Sequence, residues 1–273
     1  MESIPLPTHI AITNDADSEC KATLAIEPLY PGYGPTVGNA LRRVMLNSIP
    51  GGAFYAFKVK GVSHEFTSIN FVKEDVVDIS LNLKQVDLRV HTDEPVELKL
   101  NITGEKVVCA GDIEPNADVE IVNPEQVIMT LTDKAATLEM TLWAKQGRGY
   151  EPVEQRENEE LEVNAIAIDS IFTPVREVGY EVDNIRVGNR TDYDKVVMRI
   201  VTNGAVTVAE AIAEASEILA DHFKEILQNV TAAPKHAGES AQEEEAEPKN
   251  EEAEDEAEHI KEEKEENAED SKK

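Results

Sequence analysis

The stretch Ile26–Gly51, IEPLYPGYGPTVGNALRRVMLNSIPG, decides how this chain folds. A strand end runs into a turn rich in Gly and Pro, a helix begins near Thr36, and Pro50-Gly51-Gly52 stops it after residue 49. Val37, Leu41, Val44 and Met45 recur at helical spacing and form one apolar stripe. Arg42 and Arg43 stand about 100° apart around the axis and flank that stripe. Two readings of the pair stay open. It is a solvated helix face, or it is a pair of planar, bidentate donors placed to meet carboxylates of another chain. A short helix with one apolar face and two cations at its margin suits docking better than catalysis.

The glycines of this turn invite a nucleotide reading, which fails on detail. Gly32, Gly34 and Gly38 read G-x-G-x-x-x-G, one residue off the dinucleotide fingerprint. No βαβ unit places an acidic ribose partner, and the Gly-Lys-Ser/Thr end of a phosphate loop is missing. A tight strand-to-helix turn is the expectation. The six His residues show no ligand spacing, so no metal site is expected. Acid–base work needs carboxylates in contrasting environments, and the adjacent Glu74 and Asp75 sit in a polar run just before an apparent strand. The sequence therefore offers no catalytic residue and calls for no cofactor.

Composition narrows the partners. Of 273 residues, 41% are apolar, enough for sizeable cores. The formal net charge is −29, of which −12 falls in residues 239–273. The remainder is acidic too, and no block of Lys and Arg forms a phosphate-tracking stripe, so direct specific DNA binding is not expected. No apolar run reaches membrane-spanning length, and MESIPLPTHI lacks a basic-then-apolar leader, so the expected location is the cytoplasm. Cys20 and Cys109 are expected as free, small core residues.

Along the chain, residues 20–27 alternate as a strand with Ala22, Leu24 and Ile26 on one face. From about Phe54 to Phe172 the pattern reads overwhelmingly as β. Val77, Ile79, Leu81 and Leu83 alternate, as do Val86, Leu88 and Val90, then Val96 to Ile102, then Leu138 to Ala144. Strands at 180–187 and 195–202 follow, and Asn203-Gly204 turns into a long helix. Thr207 and Glu210 supply its capping box, and its stripe runs through Ile212, Leu219, Phe223, Ile226 and Val230. Residues 232–273 hold a single branched aliphatic, Ile260, and are expected to be a disordered acidic tail. The expected class is α+β, with a discontinuous subdomain from 1–49 and 174–231, an inserted β-rich subdomain at 50–173, and the tail.

The run PLYPGYGPTVGNALRRVMLNSIPG closely resembles the N-terminal domain of bacterial DNA-directed RNA polymerase alpha subunits. EDVVDISLNLK (74–84), DVEIVNPEQVI (118–128), GRGYEP (147–152), FTPV (172–175) and NRTDYDK (189–195) match in the same order. The resemblance covers roughly residues 8–230 and implies an assembly platform without catalytic residues of its own. It implies a homodimer formed by the helices matching 36–49 and 208–230, which assigns Val37, Leu41, Val44, Leu219, Phe223 and Ile226 to the dimer interface. It assigns contact with the beta subunit to Arg42 and Arg43 and to the loop bearing Arg148 and Tyr150, a loop that on residues alone reads equally as a hairpin turn. It assigns beta′ contact to Asp78, Lys84, Ile168 and Lys195, with Asp78 standing where relatives often have Glu. The family's compact C-terminal DNA-binding domain has no counterpart in the acidic residues after 231, which implies no upstream promoter contact.

Overall fold

The computed structural model describes residues 4–15, 18–156 and 161–232; the expectations for the acidic tail lie outside the described residues, apart from its first residue. In chain order the elements are β1 (His9–Asp15), β2 (Ser18–Leu29), α1 (Tyr33–Asn47), β3 (Pro50–Val59), α2 (Val76–Leu83), β4 (Leu88–Val90), β5 (Val96–Thr103), β6 (Lys106–Cys109), β7 (Val119–Ile121), β8 (Val127–Leu131), β9 (Thr137–Arg148), β10 (Tyr150–Glu151), β11 (Ile166–Ala167), β12 (Ser170–Ile171), β13 (Val175–Val187), β14 (Arg190–Thr202) and α3 (Val208–Ala232). The fold is mixed α+β.

Two sheets carry it. An antiparallel four-stranded sheet, in order β1-β2-β14-β13, joins the first thirty residues to the segment after 174. One face of it, Ala22, Leu24, Ile26, Val178, Val196, Met198 and Ile200, is buried together with Leu41, Met45 and Ile49 from α1 and Val208, Ala211 and Ala215 from α3. The second sheet, in order β5-β9-β3-β4-β7 with β11 also on β3, belongs to residues 50–167 and encloses a separate apolar cluster from Phe54 to Ile168. Its strands β5 and β9 pair Val96 with Ala144 through Thr103 with Thr137. Their strict inward–outward alternation is why the sequence reads them correctly.

The sequence reading is corrected in three places. Residues 76–83 are a helix, not a strand. Asp75 caps it by accepting a hydrogen bond from the Asp78 N–H at 2.7 Å. Val76, Ile79 and Leu83, at helical spacing, are the buried ones, while Val77 and Leu81 are exposed. Eight residues with apolar groups at both periods cannot settle the period by themselves. The helix α1 starts at Tyr33 instead of Thr36, because Gly32 adopts a left-handed φ of 85° and ends the preceding turn. Strand β1 was not anticipated, since its Ile10 and Ile12 are followed by polar residues.

The end of α3 beyond Glu225 is described only as helix. The chain up to Glu225 packs as one unit.

Candidate functional site

The Gly-rich turn carries its own anion. One carboxylate oxygen of Asp194, on β14, accepts hydrogen bonds from the N–H groups of both Gly32 and Gly34 at 2.9 Å. A helix N-terminus favours an anion through its free N–H groups and dipole, and here a nearly buried side chain of the same chain fills that place. A Cβ on Gly34 would come within 2.6 Å of Val182 Cγ1, and one on Gly38 within 2.7 Å of the Tyr180 ring. These glycines let α1 lie close on β13 and β14, as expected of a tight structural turn. Beside them Arg190 forms a two-bond pair with Asp192 and lies over the rings of Tyr30 and Tyr193 at 5.8 and 5.3 Å. Within the NRTDYDK segment, Asp194 holds the start of α1 and Arg190 packs over Tyr30 just before it.

Glu74 and Asp75 are likewise committed. Asp75 caps α2, and Glu74 accepts from the Thr130 N–H at 2.7 Å and its hydroxyl at 3.0 Å. Among the described residues no cluster of His, Cys, Asp or Glu has the arrangement of a metal site.

Arg42 and Arg43 are exposed on α1, and neither has an ionic or hydrogen-bonded partner among the described residues. The far end of their helix meets the loop expected to act with them. A Cβ on Gly149 would lie 2.9 Å from Asn47 Oδ1, and Pro50 pairs with Arg148 in the β3–β9 ladder. Arg148 and Tyr150 are both exposed, Tyr150 by 58%.

Tyr150, which pairs with Ile171 in the β10–β12 ladder, leads on to the second group. Asp169 accepts from Lys84 Nζ at 2.8 Å and from the Val153 N–H at 3.0 Å. The Lys84 hydrogen bond, then the Val153 N–H, hold its carboxyl below the usual carboxylate range against the opposing effect of burial. Asp169, which the sequence reading did not single out, thus holds Lys84 and lies two residues before Ile171, the ladder partner of Tyr150. Asp78 is exposed on α2, the helix that Lys84 caps at its C-terminal end. Ile168 is not available in the way expected. Its side chain is 1% exposed within the core, because Ile166, Ile168 and Ser170 alternate inward while their neighbours face out. Lys195 stands apart from this group. On β14 it pairs with Glu27 Oε2 of β2 at 2.9 Å.

The residues assigned to the dimer interface divide as well. Leu41 is only 7% exposed in the chain's own core, and Val37, Val44 and Leu219 pack against that core partly buried. An apolar stripe shows that a helix is covered, not by what. By contrast, Phe223, Ile226, Leu227 and Val230, at helical spacing on α3, are 58–70% exposed. Ile10 and Ile12 on β1 are exposed too, opposite buried Ile26 and Leu24 in the ladder. Leu227 and the two β1 residues escaped the sequence reading; Leu227 was visible as i+4 from Phe223.

No described helix is long and apolar enough to cross a membrane. Residues 56–173 match a family model described as the RNA polymerase Rpb3/RpoA insert domain. The chain is similar to DNA-directed RNA polymerase subunit alpha of Symbiobacterium thermophilum, 46% identical over 209 residues, 77% of this chain and 66% of the relative. The same-named protein of Alkaliphilus oremlandii is 48% identical over 198 residues, 72% of this chain and 62% of the relative. That of Moorella thermoacetica is 45% identical over 202 residues, 74% and 64%. The chain thus spans slightly less than two thirds of the length of the curated relatives it matches. With six motifs in fixed order, an insert matched by its family model and identity near one half along most of its length, the chain belongs to the family of DNA-directed RNA polymerase alpha subunits.

Proposed function

We propose that this chain is the homodimeric assembly platform of a DNA-directed RNA polymerase, acting in the cytoplasm, and that it recruits the beta and beta′ subunits without contributing catalytic residues. The observation that carries this reading is the exposed stripe Phe223, Ile226, Leu227 and Val230 on α3. Four large apolar side chains in register on one helix face need a cover in water, and a second copy supplies an identical stripe for an isologous interface. Ile10 and Ile12 of β1 are exposed apolar side chains as well.

Arg42 and Arg43 then serve beta, together with Arg148 and Tyr150 at the other end of the same corner. Exposed guanidinium groups on a helix suit bidentate contact with carboxylates. Asp78 and Lys84, with the 166–169 segment that Ile168 anchors from within, serve beta′, and Lys195 extends that contact on the first sheet. The 1–49 and 174–231 segments act as the dimerisation subdomain and 50–173 as the insert that reaches the large subunits.

Co-expression with the cognate beta and beta′ subunits followed by size exclusion tests the reading. A dimer that takes up both subunits supports it. A purified chain that stays monomeric, or a dimer that binds neither, refutes it.

A further inference from the structure

The Lys84–Asp169 pair lies in a groove of about 490 Å³, walled by β11 on one side and by α2 and the 63–66 loop on the other. Among the described residues strand β11 is bonded along one edge only. Ile166 pairs with Phe57 and Ala167 with Ala56 of β3, and the Ile168 N–H continues that ladder to the Tyr55 carbonyl at 2.8 Å. Alternate residues of an antiparallel pair turn their N–H and C=O groups toward the partner strand. Ile166 and Ile168 therefore face β3, and Ala167 turns its N–H and C=O the other way, toward the groove it lines. Among the described residues β11 pairs with no strand other than β3, so no ladder takes up these two groups.

An unpaired strand edge is a template for another strand. The surroundings specify what kind. Ala165 and Ala167 present only methyl groups, which keeps the floor low, and Phe66, 80% exposed, supplies an apolar wall. Glu65 and Glu154 line the groove without ionic partners among the described residues, whereas Lys84 is already held by Asp169. The groove is left with unbalanced negative charge.

We propose that the groove receives an extended segment of a partner polypeptide, which adds a short strand to β11 through the peptide groups of Ala167. That segment sets an apolar side chain against Phe66 and directs a Lys or Arg toward Glu65 or Glu154. The proposal rests on the reading of the chain as an assembly platform and specifies the binding mode at one of its faces.

Amide hydrogen exchange at Ala167, compared between the free dimer and the assembly reconstituted with beta and beta′, tests it. Exchange at least tenfold slower in the assembly is expected. Ala167→Pro removes the outward donor but no bond to β3, and is expected to weaken the complex about tenfold while the dimer persists. The double charge reversal Glu65→Lys, Glu154→Lys is expected to weaken it to a similar degree. Unchanged Ala167 exchange in an assembly that does form overturns strand addition and leaves the platform reading standing. Failure of the wild-type chain to form any complex overturns that reading and the strand addition with it. The exchange measurement on the wild-type chain decides the matter even where the proline variant misfolds.

Discussion

Gly34 and Asp194 are joined across 160 residues of sequence by one hydrogen bond of 2.9 Å, and that bond sets where α1 begins. The same carboxylate oxygen also accepts from Gly32, so two of the helix's free N–H groups are satisfied by a single nearly buried side chain. The turn, the helix and the two inner strands of the first sheet are fixed together at this point.

Replacing Asp194 with Ala removes the acceptor and leaves two N–H groups with no protein partner. The expected loss is about 1–3 kcal/mol, read as a lower urea midpoint with an unchanged slope. Gly34→Ala tests the close approach independently. Its Cβ would meet Val182 Cγ1 at 2.6 Å, and overpacking of this kind costs about 1–3 kcal/mol. A Gly34→Ala chain as stable as wild type would contradict the packing argument.

Asp169 predicts an acid dependence. Because Lys84 and the Val153 N–H hold its folded-state pKa below the ordinary carboxylate value, the unfolded chain binds the proton first as pH falls. The stabilisation is fully present above the ordinary carboxylate pKa and is lost as pH drops through the lowered folded value. Asp169→Asn is expected to cost about 1 kcal/mol at neutral pH and to show a shallower decline in melting temperature toward acid than wild type. Parallel acid limbs for the two chains would exclude the contribution.

How far the sequence speaks depends on how local each determinant is. The β5–β9 ladder was legible because alternate residues of both strands point to one buried face. The capping box of α3 was legible because its partners are three residues apart; Thr207 and Glu210 exchange bonds at 2.9 and 3.2 Å. The period of α2 was not, since Val77 and Leu81 place exposed apolar groups on the solvent side and imitate a strand. The Gly34–Asp194 and Lys84–Asp169 bonds join residues 160 and 85 positions apart, and no local pattern encodes them. The stripe on α1 was legible, but not that its own sheet covers most of it.

The cap of α2 offers a direct check on that misreading. Asp75→Ala removes the acceptor for the Asp78 N–H and is expected to cost about 1 kcal/mol. The loss should be local, appearing as faster amide exchange across residues 76–83 with little change in the β5–β9 strands. Were this segment a strand, Asp75 would cap nothing and exchange would not respond.

Arg42 and Arg43 are exposed and have no ionic or hydrogen-bonded partner among the described residues, so truncation should leave the fold intact. Arg43→Ala is expected to weaken association with beta by about ten- to a hundredfold, the range of an interface arginine hot spot, with the dimer unaffected on size exclusion. Arg43→Lys should recover only part of this, because an ammonium cannot make the bidentate contact. Full recovery by Lys would mean that charge alone matters at this position.

Phe223 and Leu227 belong to the exposed stripe of α3, one turn apart. In the dimer that we propose, Phe223→Glu places a carboxylate in an apolar interface and, by two-fold symmetry, does so in both copies. The expected result is a dissociation constant raised by about a hundredfold or more, equivalent to about 2.7 kcal/mol. The monomer itself should keep its melting temperature, since Phe223 is 65% exposed in the single chain. Sedimentation velocity across a concentration series separates the outcomes. A variant that remains dimeric at the lowest concentrations would remove α3 from the interface and leave the β1 face, with Ile10 and Ile12, as the surface to test next.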